Sequence, residues 1–429
     1  MGIQINGQTD TITATDGSLS IQGATTFTGD LTGNVTGNVT GNLTGTASTA
    51  TAAATAYGLS GSPTLSGITS VSTTNLTVNG NSYPSAGPLS NRNKIINGDM
   101  RIDQRNAGAS VTPTDAYTLD RWEIREDTDG AITAQQVSEA PAGFNKSLKI
   151  TVTTADSSLA ATQRLLVDQR IEGFNTADLD FGTAGAKTVT LSFWVRSSLT
   201  GTFGGSLINH TNNRSYPYTY SISAANTWEY KTVTIAGDTS GTWETTTSAG
   251  IKVYFGLGVG STYSGTASAW AASEFYSTTG AVSVIGTLNA TWQITGVQLE
   301  AGSVATPFEH RSYGDELARC QRYYETCYQQ GLAPGSSTSQ NNILAVCPGN
   351  INRGYGHLQF QVKKRASATV TFYSTSGAPG KFRNASQGTD ITMSAACSFG
   401  DSGISYETSA GIVGVTDRLQ GLYTAEAEL

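Results

Sequence analysis

Charge is scarce in this chain. Lys, Arg, Asp and Glu supply 13% of its 429 residues, against roughly 25% in an ordinary soluble domain. Uncharged Ser, Thr, Asn and Gly must therefore make much of the surface. The balance is acidic, with 25 basic and 32 acidic side chains and a formal net charge of −7. A nucleic-acid binder needs the opposite, a basic footprint that neutralises phosphates. The longest basic run, Lys363-Lys364-Arg365, reads as a solvated strand end. Cysteine is also rare. Cys320, Cys327, Cys347 and Cys397 are too few for a disulfide framework, and their spacings match no zinc pattern. They read as buried thiols. Three histidines leave little for a metal site, and no metal or cofactor is expected. No run of about 18 apolar residues occurs, so no spanning helix is expected. Met1-Gly2-Ile3-Gln4 lacks the basic and apolar regions of a secretory leader.

What is present begins with a repeat. Thr28-Gly29-Asp30-Leu31 is followed by Thr32-Gly33-Asn34-Val35, Thr36-Gly37-Asn38-Val39 and Thr40-Gly41-Asn42-Leu43, and no charged residue occurs between Leu31 and Asn91. A period of four is a multiple of the strand period of two, so an extended chain puts Leu31, Val35, Val39 and Leu43 on one face. One such strand cannot bury its own aliphatic row. Three copies about a common axis can, and glycine lets their backbones approach. A helix is disfavoured, because glycine at every fourth position costs about 1 kcal/mol each time. A flexible low-complexity linker is the competing reading. Residues 1–90 are assigned to a repetitive trimeric stalk carrying the attachment point.

Beyond Asn91 the pattern becomes alternating apolar and polar residues between turn clusters. Strands are expected at Tyr117–Arg125, Ser147–Thr153, Thr188–Arg196, Trp228–Ile235, Gly250–Leu257 and Trp292–Leu299. Such runs with Gly, Ser, Asn and Asp turns predict an antiparallel sandwich, and the long intervals favour a jelly-roll over residues 91–311. Leu317, Cys320, Tyr324 and Cys327 recur at three- and four-residue spacings after Asp315. This predicts a connecting amphipathic helix over 312–331, stopped at Gly331. Residues 332–429 resume the alternation at Asn342–Cys347, His357–Lys363, Thr369–Tyr373 and Gly411–Val415, a small C-terminal β-domain. The chain is thus expected to be mostly β, with stalk, jelly-roll, one helix and a β-sandwich tip.

Two groups of motifs carry a resemblance. Asn93-Lys94-Ile95-Ile96-Asn97-Gly98-Asp99-Met100, then Gln104-Arg105 and Leu119-Asp120-Arg121-Trp122, resemble the start of sandwich domains in phage tail fibre proteins of marine and cyanobacterial phages. Ile294-Thr295-Gly296-Val297-Gln298-Leu299-Glu300-Ala301-Gly302, Pro307-Phe308-Glu309 and Glu316-Leu317-Ala318-Arg319-Cys320-Gln321-Arg322-Tyr323-Tyr324 are similar to the end of the same domain. The resemblance implies a homotrimeric virion fibre, made in a host cytoplasm, with a carbohydrate-binding-module-like jelly-roll. Its partners would be itself, other tail or baseplate proteins, and host cell-surface polysaccharide or lipopolysaccharide. Nucleic acid and membrane insertion are not expected. A glycan-degrading tailspike, a capsid decoration protein and a soluble monomeric lectin are the alternatives.

No catalytic residue is expected. The acidic group Asp99, Asp103, Asp115, Asp120 and Glu123 invites comparison with the carboxylate pair of a glycoside hydrolase, but Asp120 beside Arg121 reads as a structural ion pair. Glu309-His310-Arg311 reads as a capping or interdomain junction. No Gly-x-Ser-x-Gly or His-Glu-x-x-His motif occurs. Glycan binding needs aromatic faces beside amides and hydroxyls. Tyr216, Tyr218 and Tyr220 alternate onto one strand face, with Pro217 confining that strand to an edge, and are either a glycan platform or core. Tyr263 and Trp270 in a Gly/Ser-rich stretch, and Tyr355, His357 and Arg383 in the tip, complete the glycan-binding candidates. Trp122, Trp194 and Trp292 are assigned to the core.

Overall fold

The computed structural model describes strand residues 77–78 and 81–82, and residues 90–346, 353–394, 398–409 and 417–429. The four-residue repeat with Leu31, Val35, Val39 and Leu43, the strand expected at Gly411–Val415, and Cys347 and Cys397 lie outside these residues.

Two antiparallel sheets form the larger sandwich. Counting its strands, β1 is Ala116–Leu119, β2 Trp122–Asp127, β3 Ala131–Val137, β4 Ser147–Thr154, β5 Arg164–Glu172 and β6 Val189–Ser197. They are followed by β7 Gly201–Ile208, β8 Ser215–Ile222, β9 Glu229–Ile235, β10 Ala249–Val259 and β11 Thr291–Ala301. One sheet has six strands in the order β8-β7-β10-β5-β2-β1 and the other five in the order β9-β6-β11-β4-β3. The alternation in the sequence decides which side chains enter the core. Val189, Leu191, Phe193 and Val195 of β6 point inward and have no exposed surface. Phe193 packs edge-on against Phe255 of β10, ring centres 5.1 Å apart, and Phe255 meets Trp292 of β11 at 5.7 Å. Each such side chain contributes about 1.5–3 kcal/mol by leaving water.

The expected strand over Tyr117–Arg125 is instead a hairpin, β1 and β2, turning at Asp120-Arg121 with Arg121 at φ 71°. This corrects the expected Asp120–Arg121 ion pair. Adjacent turn residues point apart: Asp120 accepts from the Gln104 backbone N–H at 2.7 Å, while Arg121 pairs with Glu428. The two resemblance motifs lie side by side. Asn93 Nδ2 donates to the Val297 carbonyl at 3.1 Å, Leu299 N–H returns to Asn93 Oδ1 at 3.1 Å, and Trp122 Nε1 donates to the Asn97 carbonyl at 3.0 Å. A Cβ on Gly98 would lie 2.2 Å from the Val297 oxygen, so only glycine permits this approach. Glu309 and Arg311 do serve as junction residues, bonding the backbone of Asn93 and Ile95.

The helix is shorter than expected. α1 spans Tyr313–Gln321, with Ser312 accepting the Asp315 N–H as its cap. Tyr324–Thr326, assigned to the helix by spacing, forms strand β12 against the last strand of the chain. That ladder gives the segment its backbone partners, and Gly331 at φ 85° belongs to a turn. Cys320 is a buried free thiol and Cys327 a half-buried one, each held protonated by burial.

The C-terminal domain is organised around one strand. Its longer strands are β13 Ile343–Ala345, β14 Tyr355–Gln359, β15 Thr369–Ser374, β16 Lys381–Asn384, β17 Thr389–Thr392, β18 Gly403–Glu407 and β19 Leu419–Glu426. β19 pairs with β12 and β13 along one edge and with β15 and β16 along the other. Phe372, Phe382 and Tyr406 form its aromatic core, ring centres 5.0–5.5 Å apart. Arg105, Arg121 and Arg170 of the sandwich hold its final residues, Arg105 and Arg121 pairing with Glu428 and Arg170 donating to the Leu429 carbonyl.

Candidate functional site

The structure divides the aromatic groups that the sequence offered to a ligand. Tyr216, Tyr218 and Tyr220 lie on β8, which is an edge strand as Pro217 requires, but all three point into the core and are 9%, 1% and 5% exposed. Tyr218 donates its hydroxyl to the Tyr254 carbonyl at 2.8 Å, and Tyr220 accepts from Trp292 Nε1 at 3.2 Å. The core alternative holds for this ladder, which corrects the platform reading. Trp270 packs edge-on against Phe181, Trp243 and Tyr216, and its Nε1 donates to the Ala236 carbonyl at 2.7 Å. Tyr263 is half-buried between Tyr276 and the Arg164 guanidinium. In the C-terminal domain, Tyr355 and His357 share the exposed face of β14. Arg383 belongs to the other sheet and pairs with Asp390 at 3.1 Å.

Trp194 is the residue that sequence reasoning misplaced. Its neighbours Phe193 and Val195 are fully buried, so alternation turns Trp194 to the outer face of the five-stranded sheet, where it is half-buried. The signal was present in the phase of β6 and was overridden by the general tendency of Trp to be buried. Tyr230 of β9 sits directly opposite Trp194, 42% exposed, with ring centres 5.3 Å apart and planes at 47°. Phe144, Phe308 and His310 close one side, their mutual ring distances 4.9–5.3 Å. These five rings, with Ser192, Gly296 and the Ala305–Pro307 backbone, line a cavity of about 400 Å³.

Gly296 keeps that cavity open. It sits at a register shift between β6 and β11 with φ 63°, and a Cβ there would lie 2.7 Å from the Phe144 ring.

One pleat along the same face, about 7 Å away, is a polar row. Arg196, Gln293 and Lys149 occupy matching register positions on β6, β11 and β4. Glu139 gathers them: Gln293 Nε2 donates to it at 2.7 Å and Arg196 at 3.1 Å, with Lys149 at 3.9 Å. The Gln293 hydrogen bond, with the two cations, holds the Glu139 carboxyl below its ordinary range. An aromatic surface beside a row of amide and charged groups suits a ligand with one apolar face and many hydroxyls.

The outer face of the six-stranded sheet is different. Glu123 and Asp168 are opposite each other on β2 and β5, with Arg125 and Arg170 beside them. Burial, and then the Glu123 charge, push the Asp168 carboxyl up to about 7 despite both guanidiniums. Burial lowers Lys252 to about 8. Carboxylate pairs of glycoside hydrolases must reach a sugar from both sides of its scissile bond, whereas Asp168 has no exposed surface.

No family model matches the chain, and no curated protein matches it. Among solved structures it is similar to a putative sugar binding protein from Bacteroides thetaiotaomicron, at 15% identity and a TM-score of 0.31, covering 49% of this chain and 100% of that one. It is similar to TmCBM61 in complex with β-1,4-galactotriose, at 10% identity and a TM-score of 0.25, covering 49% and 99%. It is also similar to the enzymatically active domain of bacteriophage CBA120 tailspike protein 4, at 13% identity and a TM-score of 0.28, covering 49% of this chain and 21% of that one.

Proposed function

We propose that the chain is a glycan-binding virion fibre protein that mediates adsorption, and that the outer face of the five-stranded sheet is its saccharide site. The observation that carries the reading is the half-buried Trp194 paired with the exposed Tyr230 beside the Arg196–Gln293–Glu139 row. The indole and phenol faces receive the apolar side of a sugar ring, and the polar row one pleat away receives its hydroxyls. The fibre and adsorption parts rest on the sequence resemblance and on the four-residue repeat, whose aliphatic row calls for three copies. Weak single sites suffice in such an assembly, because avidity multiplies them. The protein acts by binding, without cleaving its ligand.

The test is a glycan array followed by titration of the best oligosaccharide against Trp194→Ala/Tyr230→Ala. Covering roughly 80 Å² of ring face at about 25 cal/mol per Å² gives about 2 kcal/mol, so affinity should fall about thirtyfold. Unchanged affinity in a folded variant would refute the site. Light scattering of the full chain should give three times the monomer mass, and incubation with the bound polysaccharide should leave its chain length unchanged.

A further inference from the structure

A second cleft, of about 320 Å³, opens where α1 and the segment Thr326–Leu332 face the sandwich residues Arg101–Ala107, Gln136 and Lys146. That volume is in the range of small-ligand sites, roughly 300–1,000 Å³. Its lining is unlike that of the aromatic cavity. Five glutamines line it, Gln104, Gln136, Gln321, Gln329 and Gln330, together with Tyr313 and Tyr328.

The charges around the cleft are largely committed. Asp103 accepts the backbone N–H groups of Arg105, Asn106 and Gly108 at 2.7–3.2 Å. Arg101 lies 2.9 Å from Asp99, leaving the Lys146 ammonium, which reaches Ser138 Oγ at 3.0 Å. The amide capacity is divided: Gln104 Nε2 donates to Asp120 and to the Tyr324 carbonyl, and Gln329 Nε2 donates to Gln340, whereas Gln136, Gln321 and Gln330 keep capacity for a ligand. Gln136 donates to the Met100 carbonyl at 2.7 Å, which leaves its Oε1 free to accept. The side chains of Gln321 and Gln330 make no hydrogen bond to the described residues, while Tyr313 presents a ring 39% exposed. A carboxamide offers a donor and an acceptor side by side, which matches neighbouring hydroxyls on a sugar. A phosphate would need cations, and only one is uncommitted here.

We infer that this cleft is a second saccharide site, taking a short neutral, hydroxyl-rich segment through Gln136, Gln321, Gln330 and the Tyr313 ring. It rests on the glycan-binding reading but uses residues wholly separate from the sheet face. Two sites on one chain would let a single polysaccharide engage both, which raises polymer affinity above that of either site.

The test uses the full chain and a panel of fluorescent neutral and uronic-acid tetrasaccharides, titrated against the wild type, Gln321→Ala/Gln330→Ala and Trp194→Ala/Tyr230→Ala. The expected result is two classes of site in the wild type, one lost in each double variant, with neutral probes favoured at the cleft. Each variant should also bind the parent polysaccharide more than about tenfold more weakly. Wild-type binding by Gln321→Ala/Gln330→Ala overturns the inference and leaves the sheet-face site standing. Persistence of glutamine-dependent binding without any effect of Trp194→Ala/Tyr230→Ala supports the cleft and refutes the sheet face. Absence of saccharide binding by the wild type overturns both.

Discussion

Lys364→Met should be among the most damaging single substitutions in the C-terminal domain. Lys364, in the basic run read from the sequence as a solvated strand end, is instead buried outside any strand and forms with Glu325 an ion pair in which neither side chain has exposed surface. The ammonium donates to Glu325 and to the carbonyls of Gln321 and Val362. Glu325 in turn accepts the Tyr423 hydroxyl at 2.8 Å and the Gln361 N–H at 3.1 Å. All of the lysine's donors are therefore satisfied, and its removal strands a carboxylate in the interior. Breaking such a pair from one side costs about 3–5 kcal/mol, a large part of the roughly 5–15 kcal/mol that stabilises a typical protein. Lys364→Met/Glu325→Gln removes the stranded charge while keeping an acceptor for Tyr423 and Gln361, so it should recover at least half of the loss. Calorimetry measures the effect. Tryptophan emission separates the two domains, because Trp122, Trp194, Trp228, Trp243, Trp270 and Trp292 all precede α1. A Lys364→Met transition within about 0.5 kcal/mol of wild type, the usual range for surface substitutions, would refute the reasoning, as would a double variant no more stable than the single one.

Three further outcomes are expected. Gly296→Ala should push the Phe144 ring into the aromatic cavity and cost about 1–2 kcal/mol from the left-handed backbone; glycan titration should show weakened binding in a protein that still melts cooperatively. The raised Asp168 pKa gives the folded state an extra proton between the ordinary carboxyl value of 3.8 and about 7, so stability falls as pH rises through that window; Asp168→Asn should flatten this part of a melting-temperature profile and gain on the wild type above pH 7. Tyr218→Phe removes the donor to the Tyr254 carbonyl and should cost about 0.5–1.5 kcal/mol in denaturant melts, with glycan affinity unchanged because the ring is core.

The sequence determined the class of structure, because a two-residue period with turn residues between runs admits little but strands. Ser147–Thr154, Val189–Ser197, Glu229–Ile235, Ala249–Val259 and Thr291–Ala301 lie almost where alternation put them, and the same phase, followed strictly, would have turned Trp194 outward. Tertiary structure decided the rest. β19 is the centre of the C-terminal domain, yet Leu419–Glu426 carries a glycine and little alternation, since a strand paired on both edges is identified by its partners. Tyr324–Thr326 has spacing compatible with a helix and becomes a strand because β19 offers it a ladder. The aromatic cavity joins Phe144, Trp194, Tyr230, Phe308 and His310, and the glutamine cleft joins residues from Arg101 to Leu332. Periodicity describes one chain segment against its own axis and says nothing of which distant segments meet, so both sites exist only once the sheets have paired.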